Sequence, residues 1–280
     1  MDIDRYLQRV NLSAPPAADP AGLGALQAAH RRAFGFENLD VMLGREIRID
    51  SSSVFDKLVV RRRGGYCFEQ NRLFADALET LGVVTRPLLA RVWLGQPEGA
   101  EPPRTHTAVL AILDGDPWLA DAGFGGSNVP PLPLRDGAQA TTADGARHRL
   151  RRVGERGEMK GEWLLERAGP ADATDGRAQA HEDWQPQYSF DLSAVGQADL
   201  EQANHWTSTR PDTRFTTLHV ASIPLPSGFA SMTDRQLTIH DGAGTRSRAI
   251  TDAADYTQSL REIFQISLDL EEAAALALFS

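Results

Sequence analysis

The residue pattern predicts an α+β fold of three packed units. Helical periodicity fills residues 1–84, short alternating strands fill 85–192, and the stretch 193–280 mixes both signals. A chain of 280 residues can bury a sizeable core, and 41% hydrophobic with 24% charged residues is globular usage, which argues against disorder.

Each element has a local reason. Asp2 can cap a helix carrying Ile3, Tyr6, Leu7 and Val10 at helical spacing, and Asp19-Pro20 sets a capping residue before a proline at the first helical position. A third helix begins at the serines 51–53 and carries Val54, Phe55, Leu58 and Val59. A fourth follows Gly64-Gly65, aligns Phe74, Ala77, Leu78 and Leu81, and stops at Gly82. From Val83 onward the runs 88–94, 105–113, 118–122, 148–153, 163–166 and 187–190 read as strands of an antiparallel barrel or sandwich. The last third predicts a helix at 200–205, strands at 215–222 and 236–240, a turn at Asp241-Gly242, and terminal helices.

Charge and termini narrow the function classes. With 29 Lys+Arg against 38 Asp+Glu the net charge is −9, which disfavours a protein that lives on nucleic acid or anionic membrane. The acidic start Met1-Asp2-Ile3-Asp4 lacks the basic and apolar pattern of a secretory signal, and no eighteen apolar residues stand together, so the expected location is cytoplasmic. No metal site is expected, because the single cysteine has no thiolate partner and the histidines are scattered.

A lone cysteine is by default a small buried hydrophobe. Cys67, however, opens the fourth helix within Arg63-Gly64-Gly65-Tyr66-Cys67-Phe68-Glu69-Gln70-Asn71, where unpaired N–H groups and the macrodipole favour an anion. A nucleophilic thiol needs a base. Among the seven histidines, His106 opens a strand whose Ala108, Leu110 and Ile112 share its face, with Asp114-Gly115 following as a hairpin signal. A two-residue loop sets Asp121 opposite Ala108, and a four-residue loop opposite Leu110; either parity puts Asp121 on the face of His106. A carboxylate there fixes the imidazole tautomer and favours the imidazolium, so Cys67, His106 and Asp121 form a candidate triad. The glycine-rich run Ala122-Gly123-Phe124-Gly125-Gly126-Ser127 comes directly after it.

These residues resemble the arylamine N-acetyltransferase family. The matching stretches are Phe36-Glu37-Asn38-Leu39-Asp40, the Cys67 segment, Thr105-His106 and Asp121-Ala122-Gly123-Phe124-Gly125. Weaker matches fall at Trp184-Gln185-Pro186 with Tyr188, at Phe215-Thr216, and at Ile263-Phe264-Gln265-Ile266-Ser267-Leu268. The resemblance implies an N-terminal helical bundle (1–84), a central antiparallel β-barrel (85–192), a C-terminal α/β lid (193–280) and a papain-like triad of Cys67, His106 and Asp121. It implies acetyl-CoA as donor, an arylamine or arylhydrazine as acceptor, a ping-pong route through an acetyl-cysteine, and a role in xenobiotic metabolism. Phe36, Phe68 and Phe124 would line the acceptor pocket, while Gly125, Gly126, Ser127, Thr209 and Thr213 would meet CoA. Glu37 and Arg63 would form a buried structural ion pair. Gly35 stands where the family usually has proline, which predicts a looser local backbone. The rival readings are an amide synthase or thiol hydrolase using the same triad, and an inert binding protein of the same fold.

Overall fold

The computed structural model describes residues 1–178 and 181–279. Helix α1 (Ile3–Arg9) is capped by Asp2, which accepts from the Arg5 N–H at 3.0 Å, and α2 (Pro20–Ala33) by Asp19, which accepts from Gly22 at 2.7 Å. Strand β1 (Phe36–Glu37) and the helical turn α3 (Leu39–Met42) follow. Helix α4 (Ser51–Phe55) begins at the serine run, but its cap is Asp50, which accepts from Ser53 N–H at 3.0 Å. It passes into a π-helical turn over Asp56–Val60 that buries Lys57, Leu58 and Val59. Helix α5 (Cys67–Thr80) buries Leu73, Phe74, Ala77 and Leu78 and ends before Gly82, whose φ of +84° suits only glycine well.

The middle of the chain forms β2 (Val84–Val92), β3 (Arg104–Leu113), β4 (Asp116–Ala120), β5 (Leu132–Pro133), β6 (Gln139–Thr141), β7 (Arg147–Arg152), β8 (Trp163–Gly169) and β9 (His181–Phe190). Their order is β5-β4-β3-β2-β9-β8-β7-β6, all antiparallel, and the sheet curls into a barrel with one seam. The link 134–138 crosses that seam: Leu134 N–H donates to Pro117 at 2.8 Å on one side, and Gly137 N–H to Leu150 at 2.9 Å on the other. Alternation assigns the faces. Ala108 and Leu110 of β3 fill the barrel with Leu119, Leu150, Leu165 and Tyr188, whereas Val109, Ala111 and Leu113 pack outward on α1, α2 and α5.

After the barrel come α6 (Gln197–Thr209), α7 (Arg214–Thr217), β10 (Val220–Leu225), β11 (Gly228–Thr233), β12 (Gln236–Asp241), β13 (Gly244–Ala249), α8 (Ala253–Glu262) and α9 (Leu270–Ala275). The strand expected at 215–222 starts only at Val220, because Phe215 lies in α7. The second sheet runs β1-β10-β11-β12-β13, so Phe36 and Glu37 pair with Ser222 and Ala221 across the whole length of the barrel segment. Ala221, Ile223, Met232, Leu237, Tyr256, Leu260 and Phe264 close its core beneath α8 and α9. Among the described residues no helix is long and apolar enough to cross a membrane.

A buried charge cluster ties the helices to this sheet. Lys57 Nζ sits 2.8 Å from Asp40 and 2.6 Å from Glu69, and Arg63 sits 2.9 Å from Asp40 and 3.5 Å from Glu272. The expected Glu37–Arg63 pair is the longer contact, at 3.7 Å; Asp40 is the closer partner because Glu37 also accepts from the Leu39 N–H. Burial disfavours the Lys57 cation, but Glu69, Glu37 and Asp40 raise its pKa and hold it charged. Lys57→Met should therefore strand the Glu69 carboxylate, since Asp40 keeps Arg63, and lower stability by about 3 kcal/mol, read from urea denaturation.

Gly35 is not a loose point. An added Cβ would stand 2.3 Å from the Phe264 carbonyl oxygen and 2.8 Å from Ile266 Cδ1, so glycine is what allows the C-terminal segment to press on this backbone.

Candidate active site

Cys67 is the first residue of α5, where the opening N–H groups have no partner one turn back. Glu69 accepts from the Tyr66 N–H at 3.1 Å and so closes the turn that presents the thiol. Cys67 is 3% exposed, and its Sγ contacts the Thr105 carbonyl at 3.6 Å. That carbonyl reaches it through an irregularity: Ala90 pairs with His106 and Arg91 with Arg104, which leaves Thr105 as the extra residue of a β-bulge.

The β3–β4 hairpin settles the parity argument. Leu113 pairs with Asp116, so the loop is Asp114-Gly115, with φ of +50° and +87°. One step beyond the Val109–Ala120 pair carries Asp121 to the level of Ala108. From there it leans across the diagonal, and His106 Nε2–H donates to Asp121 Oδ2 at 2.7 Å. The other nitrogen, Nδ1, is not used by Asp121, and Cys67, which lines the same cavity as His106, favours the cationic ring. His106 packs between Tyr188 and Phe124, at ring distances of 4.8 and 5.2 Å.

Electrostatics favours an imidazolium. Burial opposes the charge, yet the Asp121 carboxylate overrides it, the Cys67 sulfur adds to it, and the His106 pKa is raised to about 10. Asp121 is fully buried, but His106, Arg31 and Asn71 hold its carboxyl below the usual range.

The loop after Asp121 is clamped by residues to which the sequence pattern assigned no role. Arg31 of α2 donates to the carbonyls of Asp121, Phe124 and Ser127 at 3.2, 2.9 and 2.7 Å. One turn earlier on that helix, Gln27 accepts from the Asp121 N–H at 2.9 Å and donates to the Val129 carbonyl at 2.8 Å. Asn71, one turn after Cys67, donates to Asp121 Oδ1 at 3.1 Å and to the Thr107 carbonyl at 2.6 Å. Gly123 lets this loop touch the nucleophile's backbone, since a Cβ there would stand 2.8 Å from Cys67 Cα. Gly123→Ala should shift the triad enough to lower the acylation rate of Cys67 by about 10²-fold, measured in single-turnover kinetics.

Cys67 and His106 open on a cavity of about 330 Å³. Phe36, Phe124, Gly125 and Thr213 line it. Phe68 does not: adjacent helix residues diverge by about 100°, and Phe68 turns to a smaller cavity behind α5 shared with Asn71 and Leu200. Ser127 is also withdrawn, fully buried with its hydroxyl 3.3 Å from Gln187 Oε1. Gly126 packs on Leu94 and the Phe124 ring instead of the cavity. Thr209 shares the α6 face of Glu201, Asn204, His205 and Ser208, which borders a separate groove against the segment 44–50. Sequence reasoning missed Trp206, Arg177, Arg214 and Phe215 on the cavity wall. Only Phe215 had carried a signal, as a weak motif match.

A family model described as N-acetyltransferase matches residues 21–273. An arylamine N-acetyltransferase of Escherichia coli (strain K12) is 35% identical over 270 residues, which cover 95% of this chain and 89% of that protein. One from Salmonella typhimurium, named arylamine N-acetyltransferase / N-hydroxyarylamine O-acetyltransferase, is 34% identical, covering 94% and 88%. Among solved structures, that of the Salmonella typhimurium arylamine N-acetyltransferase superposes with a TM-score of 0.87 at 32% identity, covering 99% and 98% of the two chains. The Mycobacterium marinum arylamine N-acetyltransferase in complex with CoA superposes at 0.85 with 31% identity, covering 100% of both.

Proposed function

The chain belongs to the arylamine N-acetyltransferase family, and on that ground we propose that it transfers acetyl from acetyl-CoA to the nitrogen of an arylamine or arylhydrazine. The observation that carries this reading is the Cys67–His106–Asp121 constellation at the floor of an aromatic-walled cavity. The unit division 1–84, 85–192 and 193–280 is proposed with it: the first unit supplies Cys67, the second His106 and Asp121, and the third a lid. We place the enzyme in the cytoplasm.

The reaction takes two steps. The Cys67 thiolate bonds to the acetyl carbonyl carbon, the oxyanion collapses, and the bond to the CoA sulfur breaks as His106 returns a proton to it. The arylamine nitrogen then attacks the acetyl-cysteine, His106 takes the amine proton, and the carbon–sulfur bond to Cys67 breaks. The N–H groups of Cys67 and Phe68 at the helix opening are the proposed oxyanion donors. An aromatic amine suits a buried site because it is weakly basic and reaches the cavity uncharged. Phe36, Phe124 and Phe215 offer its ring flat apolar walls.

Intact-protein mass spectrometry tests the proposal. Acetyl-CoA alone should load one acetyl group onto Cys67, and adding an arylamine should remove it with formation of the amide. Loss of the acetyl group at the same rate without amine would make the protein a thiol hydrolase. Absence of any adduct would return Cys67 to an inert structural role.

A further inference from the structure

Beneath the triad loop, the end of the barrel holds buried charge that the chemistry above does not use. Arg31 and Arg167 are 5% and 3% exposed, and the Nε–H of each has no acceptor. Among the described residues no carboxylate lies within ion-pair distance of either. Register brings them to one place. Leu150 pairs with Leu165 and Leu165 with Tyr188 inside the barrel; two residues along, His148 pairs with Arg167, so these two face the same interior. Arg167 donates to the Pro170 carbonyl at 2.8 Å, Thr174 just beyond it pairs with Ser127, and the Ser127 carbonyl is one that Arg31 holds. His148 is fully buried, and neither ring nitrogen has a partner. Two acids act here. Asp121 is taken up by His106, Asn71 and the Gly123 N–H. Asp144 acts on both arginines, but its Oδ1 is bonded to Thr142 and the Ala146 N–H, and its Oδ2 reaches neither guanidinium. The His106 imidazolium balances Asp121 and Asp144 offsets one arginine, so one positive charge is left over.

We propose that this end of the barrel binds one chloride ion between Arg31, Arg167 and His148, and that the ion keeps Arg31 seated on the triad loop. A charge removed from water needs a charged partner, and unpaired N–H groups need an acceptor. A halide supplies both to the two Nε–H groups. Burial, Arg167 and Arg31 lower the His148 pKa to about 3, so the ring is neutral and adds one N–H donor instead of a third cation. Water can serve the other ring nitrogen and Asp144 Oδ2, but it cannot balance the charge. The ion is small and singly charged because the groups that would hold it are sealed from solvent and the excess is one charge. With that excess balanced, Arg31 keeps its bonds to the carbonyls of Asp121, Phe124 and Ser127.

Crystals of the wild type grown with bromide in place of chloride test the site, because bromide takes a chloride position and is located by its anomalous scattering. One peak should stand against His148, Arg31 and Arg167. In solution, the wild type in sodium chloride should melt about 2–4 °C higher than in sodium isethionate of equal ionic strength, whose anion is too large for an enclosed site. Acetyl-enzyme should also form about threefold faster in chloride. Arg167→Met removes the excess charge and His148→Phe removes the ring donor, so each should melt at the same temperature in the two salts. Water in place of the bromide peak overturns the inference, and this result does not depend on either variant folding. Equal melting temperatures of the wild type in the two salts overturn it too. So does a chloride effect that survives in both variants, which assigns it to the protein surface. A bound halide with equal acetyl-enzyme rates in the two salts overturns its tie to Arg31.

Discussion

Cys67→Ala should abolish acetyl transfer, lowering kcat/KM on the order of 10⁴-fold or more, while the far-UV circular dichroism stays that of the wild type. The two halves of this expectation have separate causes. The sulfur is the atom placed to form the covalent intermediate, because Cys67 is the single cysteine, lines the cavity with His106, and sets its Sγ against the Thr105 carbonyl. The fold, by contrast, takes little from the sulfur. The opening of α5 is held by Glu69 on the Tyr66 N–H, and the surrounding cluster of Tyr66, Phe68, Leu89 and Leu200 survives its loss. A Cys67→Ala protein that still forms an acetyl adduct would move the nucleophile elsewhere and undo the mechanism.

The second large effect is expected from Asp121→Asn, at about 10⁴-fold in kcat/KM, together with a displaced pH profile. In the wild type the His106 pKa is raised above its ordinary value of 6.5 to about 10. The sign follows: the imidazolium, and the stability it contributes, is fully present below about pH 6.5 and is lost as pH rises through about 10. Activity should hold across neutral pH and fall on the alkaline side. With asparagine in place, the largest remaining influence on the ring is burial, which disfavours the cation. The alkaline limb should then move down toward neutrality, while the Asn71 and Gly123 contacts to the side-chain oxygen keep the loop in place. The pH profile of the acetyl-enzyme formation rate reads this directly. An alkaline limb that stays near 10 in the variant would show that Asp121 does not hold the charge on His106.

How much of the site was legible in advance depended on whether neighbours in sequence were neighbours in space. The Asp2 and Asp19 caps act within three residues, so the composition of the first turn reveals them. The His106–Asp121 pairing crosses fifteen residues, yet strand parity and the two-residue loop at Asp114-Gly115 carry it. Phe68 lines the smaller cavity behind α5, because the 100° turn from Cys67 directs it toward Asn71 and Leu200. Thr209 is a parallel case, since Trp206 and Thr207 hold the cavity side of α6 and Thr209 falls on the groove side.

Other features had no local signature. Arg31 and Gln27 look like ordinary polar positions of an amphipathic helix, yet they fasten a loop about 90 residues away. The bulge at Thr105, the β1–β10 pairing that draws Phe36 to the cavity, and the meeting of Arg177 with Arg214 at Asp175 depend on how the barrel and the second sheet close.

Helix starts, strand faces and a nucleophile at an N-terminus are written in short-range spacing, because hydrogen bonds within four residues and side-chain periods of 3.6 and 2 act before any packing. That level contains Cys67, the shared face of His106 and Asp121, and an α+β order of elements. The shape of the cavity, the clamp on its loop and the arginines on its wall arise from contacts between segments tens to hundreds of residues apart. Burial and pairing energies of the folded chain choose those contacts, and no local pattern records them.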